Sequence, residues 1–294
     1  YFCALQYSHE REQGREVTSK NPATPQIPII QHAAVRRMLV DQKALVEGSV
    51  ALLLYTGYLE DKVRTAETPE EKKNYHGVVE LLTPLCKAYA SDVAYDSISL
   101  ALQCFGGSGF IEEFPVAQML RDNRVFSIYE GTNQIQAQDL LGRKVVYDNG
   151  AYFRLLMGEI SKTLDDAKPF EALNSMREKV EAAMNKVAEV TMHLGQLGMT
   201  GDIDRYISYA DQYLRLFSQM VVAWLFLWQA VVAERTLAGN GHSGEAENFY
   251  LSKLATAKHY INTVLPTTHT LAEEIMSNER TAYDFKEEWF GAPV

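Results

Sequence analysis

Basic residues are scarce in this chain: 28 Lys and Arg stand against 38 Asp and Glu, a net charge of -10 over 294 residues. The deficit argues against a nucleic-acid surface, because phosphate binding needs clustered Lys and Arg. It still allows a small anionic ligand in a local basic pocket. Cysteine is scarcer. Cys3, Cys86 and Cys104 are widely spaced, and no Cys-x-x-Cys or Cys/His ligand spacing occurs. No metal site is expected, and a reducing, cytoplasmic setting is. The histidines form no His-Glu-x-x-His and no serine sits in Gly-x-Ser-x-Gly, so metal-dependent and serine hydrolase mechanisms have nothing to stand on. Long apolar runs are missing as well. Met220 to Ala233, broken by Gln229, is too short to cross a bilayer and predicts a buried helix, not a transmembrane segment. No signal peptide is visible, and Tyr1-Phe2-Cys3-Ala4-Leu5 reads as opening in mid-helix without a start Met or a cap.

No segment alternates as a strand would, whereas most carry a period near 3.6. Val35, Met38, Leu39, Gln42, Leu45, Val46, Ser49, Leu52 and Leu53 mark one face of a helix of roughly 25 residues. Asp61 to Gly77 is polar and reads as a loop into the next helix. That helix carries Val79, Leu82, Leu85, Cys86, Tyr89, Val93, Leu100 and Cys104, and stops at Gly106-Gly107. Pro115 suits the first turn of a short helix over Val116 to Asp122. Another helix follows to about Val146, and Asn149-Gly150 signals a turn and a domain boundary. Beyond it, a stripe from Leu173 to Leu197 ends at Gly198. Asp202 caps an apolar helix from Ile203 to about Leu237, with Trp224, Phe226 and Trp228 as core. The glycine-rich segment 239–244 breaks it, and Glu245 to Ser277 follows with a kink at Pro266. The expected fold class is all-α: an up-down four-helix-bundle-like domain over 1–149 and a second helical-bundle extension over 150–294.

Ile128-Tyr129-Glu130-Gly131-Thr132-Asn133-Gln134-Ile135-Gln136 is the stretch richest in chemistry. It sets a carboxylate between an apolar pair and a Gly-Thr helix start. Tyr129 and Ile128 can desolvate Glu130, which makes a carboxylate more basic, and Gly131 leaves the backbone open to a ligand. Thr132 is a good N-cap. A solvated loop Glu is the plainer alternative. Glu10-Arg11-Glu12-Gln13-Gly14-Arg15 reads either as a charged C-terminal turn or as a pyrophosphate clamp. Gln103-Cys104-Phe105-Gly106-Gly107-Ser108-Gly109-Phe110 reads as a helix stop or as a close backbone approach to a cofactor. It is neither a dinucleotide fingerprint nor a P-loop. His32, at a helix start, has a capping or structural role by default.

Taken together and in order, Arg11-x-Gln13-Gly14, Gln103-x-x-Gly106-Gly107-x-Gly109-Phe110, Pro115-Val116, Arg121-Asp122 and the Glu130 motif resemble the C-terminal α-helical domain of the acyl-CoA dehydrogenases. The resemblance covers about residues 1 to 147. The remainder is similar to the extra helical domain of long members, the 3-methylmercaptopropionyl-CoA dehydrogenases among them. It implies an FAD-dependent enzyme in which Glu130 removes the α-proton of an acyl-CoA while the flavin takes the β-hydride. The thioester oxygen would be held by the Glu130 backbone N–H and a flavin ribityl hydroxyl, with Gly131 against the substrate. Thr132 and Gln134 match positions that touch the flavin. Arg11, Gln13, Gln103, Gly106 and Gly107 match positions that reach the FAD of a neighbouring subunit, Arg11 on the pyrophosphate, and Gln31 and His32 lie near another contact.

A homodimer or homotetramer is therefore implied, with electron-transferring flavoprotein as acceptor. The alternatives are an acyl-CoA oxidase and a non-catalytic helical oligomerisation module. Two departures stand out. The basic residue near the end of the helix after the motif is displaced to Arg143 and Lys144. The family's N-terminal helical and middle β-domains have no counterpart, so a C-terminal fragment of a chain about twice as long is expected, weak in FAD binding and poor in turnover alone.

Overall fold

A computed structural model describes residues 1–239, 243–277 and 279–291, without the side chain of Tyr283. Its first half holds helices α1 (Phe2–Glu10), α2 (Ala33–Thr65), α3 (Pro69–Phe105), α4 (Gly107–Phe110), α5 (Val116–Phe126) and α6 (Asn133–Asp139). The second holds α7 (Tyr147–Ala167), α8 (Asn174–Met199), α9 (Ile203–Ser208), α10 (Ala210–Ala238), α11 (Glu245–Thr263), α12 (Thr267–Met276) and α13 (Thr281–Asp284). The fold is all-α, with no strand among the described residues beyond the isolated bridge Glu12–Pro28.

The segment expected as a loop from Asp61 to Gly77 is almost entirely helical. Thr68 accepts from the Glu71 N–H at 3.1 Å while Glu71 accepts from the Thr68 N–H at 3.2 Å. This capping box, with Pro69 at the first helical position, starts α3 inside the polar stretch. α2 meanwhile runs on to Thr65, because Leu59 is still buried. Charge marked a solvated helix face here, not a loop. On α2 the predicted face is right for Leu39, Gln42 and Leu52, but Leu53 points outward, 47% exposed. α5 extends past Asp122 to Phe126. The helix expected to reach Val146 changes instead to a π-turn over Leu140–Lys144, where Leu140 and Leu141 are both buried and the Tyr206 hydroxyl donates to Leu141 O at 2.6 Å. Asp202 does cap a helix, yet that helix stops at Ser208, and α10 restarts after Tyr209. The predicted kink at Pro266 is a full break between α11 and α12. Within the predicted break at 239–244, Asn240, Gly241 and His242 lie outside the described residues.

The turn at Asn149-Gly150 is real: Asp148, Asn149 and Gly150 are all left-handed, at φ 50°, 55° and 74°. The helical sets on either side of it do not keep separate cores. One hydrophobic cluster joins Leu52, Leu81, Leu82 and Leu85 to Leu156, Val187, Phe217 and Tyr260. α10 lies at its centre. Its best 18-residue window has mean hydropathy 1.8, so by length and composition it could span a membrane, but 83% of that window is packed inside the protein. Trp224 and Phe226 are core as expected. Trp228 is not, at 41% exposed; it stacks on Trp224 at the rim of the cluster.

The contact between the two halves is polar as well as apolar. The Tyr89 and Tyr260 hydroxyls meet at 2.5 Å, and His259 Nε2 lies 2.6 Å from Asp41. Glu47 of α2 pairs with Lys43 on its own helix and with Lys253 of α11 at 2.9 Å. Burial raises the Glu47 carboxyl, but the two ammonium groups outweigh it and hold the group below the ordinary 4.5. A depressed folded-state value stabilises fully above the unfolded value and is lost as pH falls through the folded one. The stability deficit of Glu47→Gln at neutral pH should therefore shrink as urea midpoints are followed below about pH 4.5.

Helix packing at α7 depends on one missing side chain. A Cβ at buried Gly77 would lie 2.1 Å from the Tyr152 ring. Gly77→Ala gains about 1 kcal/mol of helix propensity against a clash costing roughly 1–3 kcal/mol. With contact this short the upper end applies, so the urea midpoint should fall at unchanged slope.

Candidate functional site

Two buried asparagines bracket the loop that carries Glu130. Asn123 of α5 donates to Ser91 O at 3.0 Å. Asn133, the first residue of α6, donates to Ser91 Oγ at 2.9 Å and Asp92 Oδ1 at 2.7 Å. Both helix ends are thereby fixed to one turn of α3. Between them the Ile128 and Tyr129 amides both donate to Val125 O, at 2.9 and 3.1 Å, and the Asn133 amide donates to Ser127 O at 3.1 Å. Thr132 Oγ1 accepts from the Ile135 amide at 3.3 Å, the predicted N-cap. The chain reverses through two left-handed residues, Glu130 at φ 55° and Gly131 at φ 81°. Glycine adopts that conformation freely, whereas glutamate pays roughly 1–2 kcal/mol, so the surrounding bonds must hold it. Lys87 of α3 supplies two of them, donating to Gly131 O at 2.6 Å and Asn133 Oδ1 at 2.7 Å. Burial lowers the Lys87 ammonium, and burial also raises the Asp92 carboxyl against the pull of Asn133.

The turn points the Glu130 side chain outward, and its backbone N–H has no partner among the described residues. The expected desolvation by its own neighbours is not found. Tyr129 and Ile128 are themselves 46% and 56% exposed, so a shielded carboxylate here needs an opposing surface. A cavity of about 420 Å³ does lie nearby, lined by Asp92, Asp96, Arg124, Asp211, Arg215 and Gln219 among others. Glu130 is not among the residues that line it.

The other predicted residues gather elsewhere. Tyr7 of α1 stacks on Phe105 at the end of α3 with ring centroids 4.2 Å apart, and its hydroxyl meets Ser108 Oγ at 3.2 Å. This brings Arg11 and Gln13 to the same end of the molecule as Gln103, Gly106 and Gly107. The 11–14 segment is braced by backbone bonds from Gln13 N to Ile27 O and from Ile29 N to Arg11 O, and by His32 Nε2–H donating to Gln13 O at 2.8 Å. His32 thus braces this segment. Among the described residues, the exposed side chains of Arg11, Gln13 and Gln103 have no hydrogen-bond or ion-pair partner, and a Cβ at Gly106 or Gly107 would meet nothing within 4 Å. Gly109 differs: its Cβ would sit 2.8 Å from Leu102 O, so packing requires that glycine. At 1.5 Å per residue, Gln103 lies roughly 16–24 Å along α3 from Asp92 and Lys87. The predicted residues therefore form two clusters: Glu130, Gly131, Thr132 and Gln134 near the middle of α3, and the Arg11–Gly107 group at its end. Arg143 and Lys144 are both engaged internally, with Asp139 and with Glu80.

Lys87, Asn123, Asn133 and Asp92 were missed as site residues. A Lys and an Asp five apart on one helix carry no signal of their own, and a polar residue next to a Thr N-cap carries none either.

Comparison with known proteins gives this helical architecture a class. Residues 4–144 match the family described as acyl-CoA dehydrogenase, C-terminal domain, and residues 156–286 match acetyl-CoA dehydrogenase C-terminal like. Butyryl-CoA dehydrogenase of Syntrophomonas wolfei is 34% identical over 98% of this chain and 47% of its own length. The 3-methylmercaptopropionyl-CoA dehydrogenase of Ruegeria pomeroyi is 38% identical over 90% of this chain and 44% of its own. Among solved structures, the acyl-CoA dehydrogenase complexed with FAD from Bacillus anthracis shares the fold at TM-score 0.67 and 18% identity, over 94% of this chain and 46% of that one. The chain belongs to the acyl-CoA dehydrogenase family and corresponds to its C-terminal helical part. It spans about half the length of the curated relatives it matches.

Proposed function

We propose that this chain carries the proton-abstracting base and part of the flavin site of an FAD-dependent acyl-CoA dehydrogenase. The observation that carries the reading is the left-handed Glu130-Gly131 turn, which presents a carboxylate and an unpartnered backbone N–H on the same exposed loop. α-Proton removal from a thioester needs both: a base within reach, and a donor where enolate charge develops on the carbonyl oxygen. Glu130 takes the proton. Its N–H steadies the oxygen, and Gly131 admits the acyl chain close to the backbone.

The exposed Arg11, Gln13 and Gln103 side chains, unpartnered among the described residues, and the open space over Gly106 and Gly107 fit an extended anionic cofactor. Arg11 would take pyrophosphate, and Thr132 and Gln134 would meet the flavin end. When bound, FAD accepts the β-hydride. The separation between the two clusters supports assigning the Arg11 group to the FAD of a neighbouring copy, in a homodimer or homotetramer. Electron-transferring flavoprotein is the proposed acceptor. The test is exchange of the α-proton of bound acyl-CoA with deuterated solvent in the full-length, FAD-loaded protein. Glu130→Gln should lose exchange while keeping its flavin; retained exchange removes Glu130 from the role of base.

A further inference from the structure

We propose that Lys87 is a positioning residue for this base, holding the Glu130-Gly131 turn in its left-handed form from beneath. The inference rests on the reading of Glu130 as base. Val125 O fixes the entry through two amides, and Ser127 O fixes the exit through the Asn133 amide. Neither controls the peptide after Gly131, which a glycine can turn either way. The Lys87 ammonium does, through its 2.6 Å bond to Gly131 O. The same ammonium bonds Asn133 Oδ1 at 2.7 Å, so the Asn133 amide group is oriented with Nδ2 toward Asp92 and Ser91. One cation thus couples the turn to the side chain that anchors the next helix.

The plainer alternative is a surface lysine making opportunistic contacts. Three observations oppose it. Lys87 is half-buried, both its acceptors are close, and both lie on the segment that holds Glu130 in a conformation disfavoured for L-residues. Without the ammonium, the turn can relax toward ordinary backbone and carry the carboxylate with it. Displacing a catalytic group by about 1 Å can cost 10²-fold in rate.

The test uses the full-length, FAD-loaded protein. Lys87→Met should lower kcat by about 10²-fold, with KM and flavin content within about twofold of the native enzyme. Lys87→Arg, which keeps a cationic donor, should restore kcat to within about tenfold. Amide hydrogen exchange over residues 128–133 should quicken in Lys87→Met and stay near native in Lys87→Arg, a readout that does not depend on turnover. An unchanged kcat in Lys87→Met, or a loss matched by loss of FAD, overturns the proposal. So does an equal loss in Lys87→Arg with native exchange over 128–133. If Lys87→Met does not fold, Lys87→Gln, with a single neutral donor in place of the ammonium, is held to the same criteria. Glu130→Gln run in parallel separates the two failures. Exchange of the substrate proton retained there removes the base itself, whereas exchange lost there with native kcat in Lys87→Met removes only the positioning role.

Discussion

Glu130→Gln in the full-length, FAD-loaded protein is expected to lower turnover by about 10²–10⁴-fold, the range general-base catalysis commonly supplies. Few substitutions here should separate chemistry from folding as cleanly. The side chain is exposed and makes no hydrogen bond or ion pair among the described residues, so no contact seen there depends on its charge. The amide is the same size, and the strained backbone at φ 55° is asked of glutamine as it was of glutamate. The Glu130 N–H stays in place, so the group proposed to steady the thioester oxygen is untouched. KM and flavin content should then change little while kcat collapses, the pattern of an interaction made in the transition state. Thr132→Ala is a useful contrast. It removes the N-cap of α6, costs about 0.5–2 kcal/mol of stability, and should move the melting temperature more than it moves the rate. A Glu130→Gln enzyme that turns over normally would leave the turn without a function.

Glu130, Gly131 and Thr132 were legible in the sequence because their chemistry is local. A glycine after a glutamate and a threonine at a helix start describe a turn and a cap without reference to anything distant, and the structure has both. The stop at Gly106 was legible for the same reason. What holds the turn was not. Lys87 and Asp92 reach it across more than forty residues of chain, and only the path of α3 past α6 brings them there. The Asp61–Gly77 error came from reading polarity as a loop, although Thr68, Pro69 and Glu71 spelled out a helix start. The shielding expected for Glu130 failed for a different reason: adjacent apolar residues in sequence need not cover each other in a turn. Periodicity placed the helices but could not show that α10 would lie against α2 and join the two halves in one core.

That shared core sets the second large effect. Trp224→Ala should cost about 3–5 kcal/mol, roughly a fifth or more of the stability of an ordinary domain. Trp224 is 1% exposed and stands between elements of both halves. Its ring meets Tyr55 of α2 edge-on at 5.1 Å, and its indole N–H donates to Thr163 Oγ1 of α7 at 2.7 Å. Alanine removes the ring contact and the donor together and leaves a void that helices braced on several sides cannot close. Trp224→Phe is the informative partner, because it keeps most of the apolar volume and loses the hydrogen bond, worth about 1 kcal/mol. Urea midpoints should rank native above Trp224→Phe above Trp224→Ala, with the larger gap at the second step if packing dominates. Equal losses in the two variants would assign the energy to the indole–threonine bond instead. Glu130 hangs on α3, and α3 shares this core, so the rate in Trp224→Ala should fall only where the protein begins to unfold. A loss of kcat well below that temperature would mean that α10 shapes the turn in the folded state.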